Sequence, residues 1–267
     1  MPSRNGPCTQ VFSGAAHPAT SNGMQRVALF GATSAIGADV ARCYAHRGAR
    51  LALVGRNQEK LNALSEELGE RVSGEYLADF TRCNAEALVA QVVRDLGGID
   101  VAIIAHGDLG DQLASERDYG AAAHIFSVNL LSVVALVIPL ANLLEAQGRG
   151  HLAVLSSVAG ERGRPRNYTY GAAKGALTTY MQGVRSRLWP KVQVHTIKLG
   201  PVDTPMTVNH PKNPLFAQSD DVARATVKAI DRGIGEAFVP WYWRPIMETV
   251  ERLPEPIFQR FKFLSDR

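Results

Sequence analysis

Seven short apolar runs that alternate with helical patterns are the feature that most constrains how this chain folds. Several runs are apolar at consecutive positions, which is typical of strands buried on both faces of a parallel sheet. Strand–helix alternation with right-handed crossovers predicts an α/β protein, a three-layer sandwich with a doubly wound parallel sheet of about seven strands and helices on both faces. The runs are 26–31, 50–55, 74–79, 100–105, 151–157, 192–199 and 236–240.

The stretches outside this pattern divide the chain into three parts. Residues 1–23 are rich in Gly, Pro and small residues and lack the apolar stretch of a secretory signal, so we expect a disordered extension. Because the first strand begins right after Met24, we expect Met24 to be the native start. Residues 24–240 contain nothing that reads as a linker and are predicted to form one domain, and 241–267 form an amphipathic tail.

Composition excludes several classes of protein. A chain with 46% hydrophobic and 20% charged residues is an ordinary soluble protein. A net charge of +4 without a long basic run argues against nucleic-acid binding and leaves anionic ligands or a membrane surface open. The three cysteines form no C-x-x-C pair, so we expect no disulfide framework, no metal site, and a reducing, cytoplasmic compartment.

The apolar segment 126–144 raises the question of a membrane span. Asn129, Ser132, Pro139 and Asn142 interrupt it, so its apolar runs are shorter than the roughly 20 residues that a span needs. The sequence favours a long buried helix.

A glycine-containing turn, "GATSAIG", joins the first strand to a helix, with Gly31 at the strand end and Gly37 at the helix start. Backbone N–H groups at a helix N-terminus bind anions, so a dinucleotide pyrophosphate fits this turn. The alternative is a tight turn that needs glycine for backbone reasons alone.

At the end of the second strand, Arg56 stands where NAD-binding chains carry an acid for the ribose hydroxyl. An arginine pairs with a 2′-phosphate, which favours NADP(H) over NAD(H), although a solvated turn residue is the alternative.

The stretch "NYTYGAAKGAL" places Lys174 four residues after Tyr170, on the same face of a predicted helix, whereas Tyr168 points elsewhere. A nearby ammonium is expected to lower the pKa of the phenol and to suit it for proton exchange with a carbonyl oxygen. Ser157 ends the fifth strand, from which its hydroxyl can hydrogen-bond the reacting oxygen. Taken alone, Tyr170 and Lys174 are better explained as an ordinary helix pair.

Together these motifs resemble the short-chain dehydrogenase/reductase family over about residues 25–240: the glycine turn, Ser157 thirteen residues before Tyr170, "YGAAK", and "IKLGPVDTPMT". The resemblance implies a Rossmann-type catalytic domain that transfers hydride between NADP(H) and a ketone or alcohol. It implies that Tyr170 is the acid/base, that Ser157 polarises the carbonyl, that Lys174 binds ribose and tunes the phenol, and that Asn129 supports a proton relay. The implied cofactor contacts are Gly31, Thr33, Ser34, Ala35, Ile36, Gly37, Arg56, Asp79, Phe80, Ala105, His106, Gly107, Tyr170, Lys174, Gly200, Val202 and Thr204.

Three positions depart from the family pattern. Ala35 replaces a glycine, "IAHG" (104–107) replaces Asn-Asn-Ala-Gly, and Leu199 and Pro201 alter the residues around Gly200. The second departure removes a stabilising asparagine contact, but none of the three touches the catalytic residues, so activity is still expected. The family also implies a homodimer or homotetramer built through the long helices.

Two segments outside the common motifs bear on the substrate. Arg162, Arg164 and Arg166 lie just before Tyr170, where they either recognise an anionic substrate or form a solvated basic loop; Tyr168 and Met206 are further candidates for substrate contact. The tail 241–267 interleaves aromatic, apolar and basic residues. It suits either a peripheral membrane contact or a lipid-binding lid, or else it packs on its own subunit or on an oligomer partner.

These two segments are similar to a branch of the family, the decaprenylphosphoryl-2-keto-ribose reductases, in "AGERxRxxNxxYG" and in a tail with "RxIM" followed by "LPEPIF". That resemblance implies a keto-sugar on a polyprenyl phosphate as substrate, a flavin oxidase as functional partner, and a position at the inner face of the membrane. The alternatives are a general reductase of ketoacyl, steroid or small hydroxy-ketone substrates and a non-catalytic NADP-binding regulator.

Overall fold

The computed structural model describes residues 24–208 and 212–260. Its strands are Arg26–Phe30 (β1), Arg50–Gly55 (β2), Val72–Leu77 (β3), Val101–Ile104 (β4), His151–Ser157 (β5), Gln193–Leu199 (β6), Val202–Asp203 (β7), Ala217–Gln218 (β8) and Glu236–Val239 (β9). Its α-helices are Ala35–His46 (α1), Gln58–Leu68 (α2), Ala85–Leu96 (α3), Gln112–Ser115 (α4), Tyr119–Phe126 (α5), Ser132–Gln147 (α6), Tyr168–Leu188 (α7), Ser219–Asp231 (α8), Trp243–Arg252 (α9) and Glu255–Phe258 (α10).

Seven of these strands form one parallel sheet in the order β3-β2-β1-β4-β5-β6-β9, which confirms the predicted fold class. The order reverses between β1 and β4, so the connections that follow these two strands leave in opposite directions and open a crevice at their carboxyl ends. The strand β3 begins two residues before the predicted run and ends at Leu77 rather than at Asp79. The Asp79 side chain accepts hydrogen bonds from the Thr81 amide and hydroxyl, and this turn ends the extended segment.

Two apolar cores lie on opposite faces of the sheet. One is formed by α1, α2 and α8, with Tyr44, Leu61 and Val227 among its buried residues. The other is formed by α3, α6 and α7, and it includes Leu140 and Met181. Because both faces are covered, the strands tolerate the consecutive apolar residues by which the sequence predicts them.

The apolar segment 126–144 lies in a continuous helix, Tyr119–Gln147, which by length and composition alone is able to cross a membrane. Its inner face packs into the core through Leu136, Val137, Leu140 and Leu144, while Leu131 and Ile138 lie on the outer face. A five-residue π-helical segment, Ser127–Leu131, interrupts the helix between α5 and α6.

The first half of the tail packs on its own chain. A third apolar cluster buries Trp243, Met247, Val250 and Phe258 with Val158, so the apolar face of the amphipathic helix α9 is turned toward the domain. The predicted extension 1–23 and the last part of the tail, with Phe261, Lys262 and Leu264, lie outside the described residues.

Candidate active site

A cavity lies in the crevice at the carboxyl ends of β1, β2 and β4. Eight of the predicted cofactor residues line it: Gly31, Thr33, Ser34, Arg56, Asp79, Phe80, His106 and Gly107. Six residues that the sequence analysis did not single out line it as well: Gly55, Asn57, Lys60, Thr81, Val128 and Ser132. Nine predicted contacts are not part of its lining: Ala35, Ile36, Gly37, Ala105, Tyr170, Lys174, Gly200, Val202 and Thr204.

Backbone geometry explains both glycines of the turn after β1. Gly31 has φ +93°, and a Cβ there would lie 2.6 Å from the His106 amide nitrogen. At Gly37 a Cβ would collide with the Gly31 carbonyl oxygen. The Ser34 hydroxyl caps α1, accepting from the Gly37 amide at 3.0 Å and donating to the Gly31 carbonyl at 2.9 Å. Ala35 begins the helix without such a conflict, so this departure from the family pattern leaves an intact turn at a helix N-terminus, where a pyrophosphate is stabilised.

Two cations stand at the end of β2. The Arg56 side chain is exposed and makes no hydrogen bond or salt bridge with any residue in the described ranges, and Lys60 lines the same cavity from the first turn of α2. Asn57 caps that helix by accepting from the Lys60 amide at 2.8 Å, which sets the direction of the turn. Sequence reasoning missed Lys60, although its position in the first turn after the second strand was the available signal.

The histidine of "IAHG" occupies the floor of the cavity. Its ring stacks on Phe80 with 4.4 Å between centroids, and Nε2 lies 2.8 Å from the Ser132 hydroxyl. That hydroxyl donates to the Val128 carbonyl, so it accepts from His106, and the proton is on Nε2. Burial lowers the pKa of His106 to about 3, and the ring is therefore neutral. The segment 104–107, which lacks the two asparagines of the family pattern, is thus held by the His106 ring through its stacking on Phe80 and its hydrogen bond to Ser132.

Ser157, Tyr170 and Lys174 come together where β5 ends and α7 begins. The phenol of Tyr170 is hydrogen-bonded to Ser157, whose hydroxyl also accepts from the Ala159 amide at 3.1 Å. The Lys174 ammonium donates to the Leu155 carbonyl at 3.0 Å and lies 5.8 Å from the centroid of the Tyr170 ring. Tyr168, in the first turn of α7, is 44% exposed and lies apart from this group on the helix surface.

The expected lowering of the phenol pKa by lysine is wrong for this structure. Burial raises the pKa of Tyr170 to about 12 against the opposing effect of the Ser157 hydrogen bond, and Asp108 raises it further. Burial also lowers the pKa of Lys174 to about 8. Removal from water disfavours the charged form of each group, and here this effect exceeds their mutual influence. The phenol is therefore a proton donor at neutral pH, and the lysine is close to releasing its proton.

Asn129 lies in the π-helical segment and is fully buried. Its amide donates to the Ile125 carbonyl at 2.9 Å and to the Asp108 carbonyl at 2.6 Å, and its oxygen accepts from the Asp108 amide at 3.0 Å. Only a small residue fits at position 107, because a Cβ there would lie 3.0 Å from Asn129 Oδ1 and 3.5 Å from Lys174 Nζ. Asn129 thus fixes the chain after β4 beside Lys174, and its part in a proton relay stays a prediction.

The loop after β6 borders the catalytic group on another side. Gly200 lies against the indole of Trp243, and Val202 is buried. Thr204 and Thr207 cap each other across a short 3₁₀ turn that includes the half-exposed Met206.

The three arginines before α7 have different surroundings. Arg162 binds the tail, donating from Nη1 to the Val250 and Leu253 carbonyls at 2.6 Å each. Arg164 is half-buried, its Nε is buried without a partner, and it forms no hydrogen bond or salt bridge with the residues that the structure describes. Burial and the charge of the exposed Arg166 lower the pKa of Arg164. A buried N–H without a partner is costly, so Arg164 and Arg166 are the pair suited to an anion.

Comparisons with known proteins agree with this geometry. A family model described as short chain dehydrogenase matches residues 25–214. An uncharacterized oxidoreductase of Mycobacterium tuberculosis is 34% identical over 89% of this chain and 97% of its own length. A hydroxysteroid 11-beta-dehydrogenase 1-like protein of Xenopus tropicalis is 28% identical over 83% of this chain and 80% of its own. The crystal structure of a short chain dehydrogenase of Shigella flexneri complexed with NADP is similar in fold, with a TM-score of 0.73, 24% identity, and coverage of 80% and 95%.

Proposed function

Because the chain belongs to the short-chain dehydrogenase family of oxidoreductases, we propose that it reduces a ketone to a secondary alcohol with NADPH. The observation that supports this reaction most is the group of half-buried Ser157 and Tyr170 and buried Lys174, with the phenol protonated and hydrogen-bonded to the serine. A non-catalytic regulator would have no need to keep three polar side chains together at the end of β5.

The cavity fits a dinucleotide. The glycine turn lets a phosphate group approach the backbone at the N-terminus of α1. Asp79 and Phe80 also line the cavity, and the family resemblance implies that they contact the adenosine. When bound, NADPH supplies the hydride. Tyr170 donates its phenolic proton to the carbonyl oxygen, and Ser157 hydrogen-bonds that oxygen as negative charge develops on it. Lys174, with a pKa of about 8 and its ammonium 5.8 Å from the Tyr170 ring centroid, supports the return of a proton to the phenolate through the relay predicted for Asn129.

The preference for NADP(H) rests on Arg56 and Lys60. Both cations line the cavity after β2 and form no salt bridge with an acidic residue among those described, and a 2′-phosphate satisfies both. We expect Arg56→Asp to weaken NADPH binding about 10- to 100-fold and Lys60→Met to weaken it less, with NADH affected little, as measured by fluorescence titration. Lys228→Met, at an exposed lysine of α8, is the control. Equal affinity of the wild type for both cofactors contradicts the assignment.

For the substrate, we propose a keto-sugar on a polyprenyl phosphate, made by a flavin oxidase and reached by peripheral contact with the inner face of the membrane. The unpaired guanidinium of Arg164 supports an anionic group close to Tyr170, and Arg166 adds a second positive charge. Assembly as a homodimer or homotetramer in the cytoplasm is part of the same proposal.

A screen of NADPH oxidation tests the substrate. Lipid-linked phosphate keto-sugars are compared with soluble keto-acyl, steroid and hydroxy-ketone substrates; the similarity to the hydroxysteroid 11-beta-dehydrogenase 1-like protein favours a steroid as second candidate. We expect Arg164→Met and Arg166→Met to raise KM about 10-fold or more for the phosphate-bearing substrate and to leave a neutral ketone unchanged. Arg232→Met, at an exposed arginine after α8, is the control. Good turnover of soluble ketones alone, with no effect of Arg164→Met, removes the lipid-linked substrate.

A further inference from the structure

The segment formed by α9 and α10 contacts two stretches of chain that border the catalytic residues. It buries its apolar face against Val158, the residue directly after Ser157. It also lays the Trp243 indole on Gly200 so closely that a Cβ at this glycine would collide with the ring. Gly200 begins the loop that leads to Thr204. One short segment, whose helices span Trp243–Phe258, thus packs beside the catalytic serine and beside the loop after β6.

Arg162 is the polar attachment of this segment. Besides its bonds to the Val250 and Leu253 carbonyls, its Nη2 forms a salt bridge of 2.7 Å with Glu255, and its guanidinium lies 4.0 Å from the centroid of the Phe258 ring. The side chain is only 13% exposed. The last carbonyls of a helix form its negative end, where a cation is stabilising. A single guanidinium therefore binds the end of α9 and both the carboxylate and the ring of α10.

The loop segment that carries Arg162 is itself bound to the sheet. Glu161, its neighbour, accepts from Lys198 of β6 at 2.7 Å, and the same ammonium lies 2.5 Å from Glu236 of β9. The Glu161 carboxyl is also hydrogen-bonded to Glu251 of α9. The loop between Ser157 and Tyr170 is thus fixed to the sheet through Glu161 and to the tail through both residues.

We propose that Arg162 is a positioning residue, which fastens the C-terminal segment over the substrate side of the site and so holds the Ser157 segment and the Gly200 turn in their working places. The proposal rests on the proposed ketone reduction. It assigns to Arg162 a role different from the anion contact that the sequence predicts. Since the glycine turn, Arg56 and Asp79 lie elsewhere, NADPH binding depends on this attachment only through the predicted contacts Gly200, Val202 and Thr204, and we expect it to weaken much less than kcat/KM falls.

Three variants test the proposal in the full-length protein: Arg162→Met, Arg162→Lys, and Arg252→Met as matched control. Arg252 lies on α9, the helix whose end Arg162 binds. It is exposed and forms no salt bridge or side-chain hydrogen bond in the described ranges. The measurements are kcat and KM for a ketone that the wild type reduces, the Kd of NADPH, and deuterium exchange of peptides from 243–258. We expect Arg162→Met to speed exchange in those peptides and to lower kcat/KM about 10- to 100-fold, with a much smaller change in the Kd of NADPH.

Arg162→Lys is expected to restore part of the loss, because an ammonium still bonds a carbonyl at the end of α9, and Arg252→Met is expected to match the wild type. Faster deuterium exchange in 243–258 with unchanged ketone kinetics overturns the proposal, since Arg162 then holds the tail in place without affecting the catalytic residues. Weakening of NADPH binding to the same extent as kcat/KM overturns it as well, because the whole fold is then loosened. A wild type that reduces no ketone overturns both this proposal and the proposed function, whereas active wild type with normal Arg162→Met overturns only the former.

Discussion

Tyr170→Phe is expected to lower kcat for ketone reduction about 10²- to 10⁴-fold, the range that general acid catalysis contributes, while NADPH still binds. The substitution removes one oxygen atom and keeps the ring that packs at the start of α7. With the pKa of Tyr170 raised to about 12 by burial, the phenol is protonated throughout the neutral range and is ready to donate. Alcohol oxidation needs the phenolate, so its rate is expected to increase as the pH rises toward that value.

The measurements are steady-state NADPH oxidation, a fluorescence titration of NADPH, and a pH profile of the reverse reaction. Tyr119→Phe is the control, because that phenol is 87% exposed at the start of α5 and belongs to no assigned site. We expect its kcat to stay close to that of the wild type. Unchanged turnover in Tyr170→Phe, or an equal loss in Tyr119→Phe, is incompatible with the assigned role.

Lys174→Met is expected to change activity and stability in opposite directions. The ammonium is buried with one hydrogen bond, to the Leu155 carbonyl, and without a salt bridge to any carboxylate in the described part of the chain. Burial lowers its pKa from 10.5 to about 8, which corresponds to a cost of about 3 kcal/mol below pH 8. Methionine removes this cost but leaves the Leu155 carbonyl without its donor, so a net gain in the free energy of unfolding of about 1–2 kcal/mol remains.

The sign of the pH dependence follows from the same pKa. Between pH 8 and 10.5 the unfolded chain binds more protons at Lys174 than the folded chain, so wild-type stability rises with pH in this window. The advantage of Lys174→Met is therefore largest below pH 8 and disappears above 10.5. Urea unfolding at several pH values measures it, with Lys228→Met as an exposed-lysine control. Ketone reduction should fall about 10²-fold or more, because the proton return to Tyr170 is lost. A less stable variant at pH 7 contradicts this account.

Local rules account for most of what the sequence predicts correctly. A strand buried on both faces is apolar along its whole length, so its run is visible without knowledge of its neighbours, as at 151–157. Lys174 and Tyr170 share a helix face because four residues make about one turn. The requirement for Gly37 is also local, since a Cβ there would collide with the Gly31 carbonyl of the same turn, whereas at Gly31 the positive φ is local but the close approach of His106 is not.

Properties that depend on burial are not visible in the same way. The ammonium four residues from Tyr170 suggests a lowered phenol pKa, but the depth at which β5 and α7 place both groups reverses the direction. The missing asparagines after β4 are evident from the sequence. Their replacement by a stacked His106 bonded to Ser132 depends on a helix 26 residues away.

By itself the sequence determined the doubly wound fold, because strand burial and helix periodicity are regularities along the chain, whereas the catalytic group of Ser157, Tyr170 and Lys174 is what the resemblance to a known family predicts. The sequence could not separate Arg162, Arg164 and Arg166, which are three similar cations in one loop. Only the tertiary structure decided that Arg162 binds carbonyls 88 and 91 residues away while the Nε of the half-buried Arg164 has no partner among the described residues. The physical reason is that the partner of a long charged side chain is set by whichever distant segment packs against it, and no local pattern records that packing.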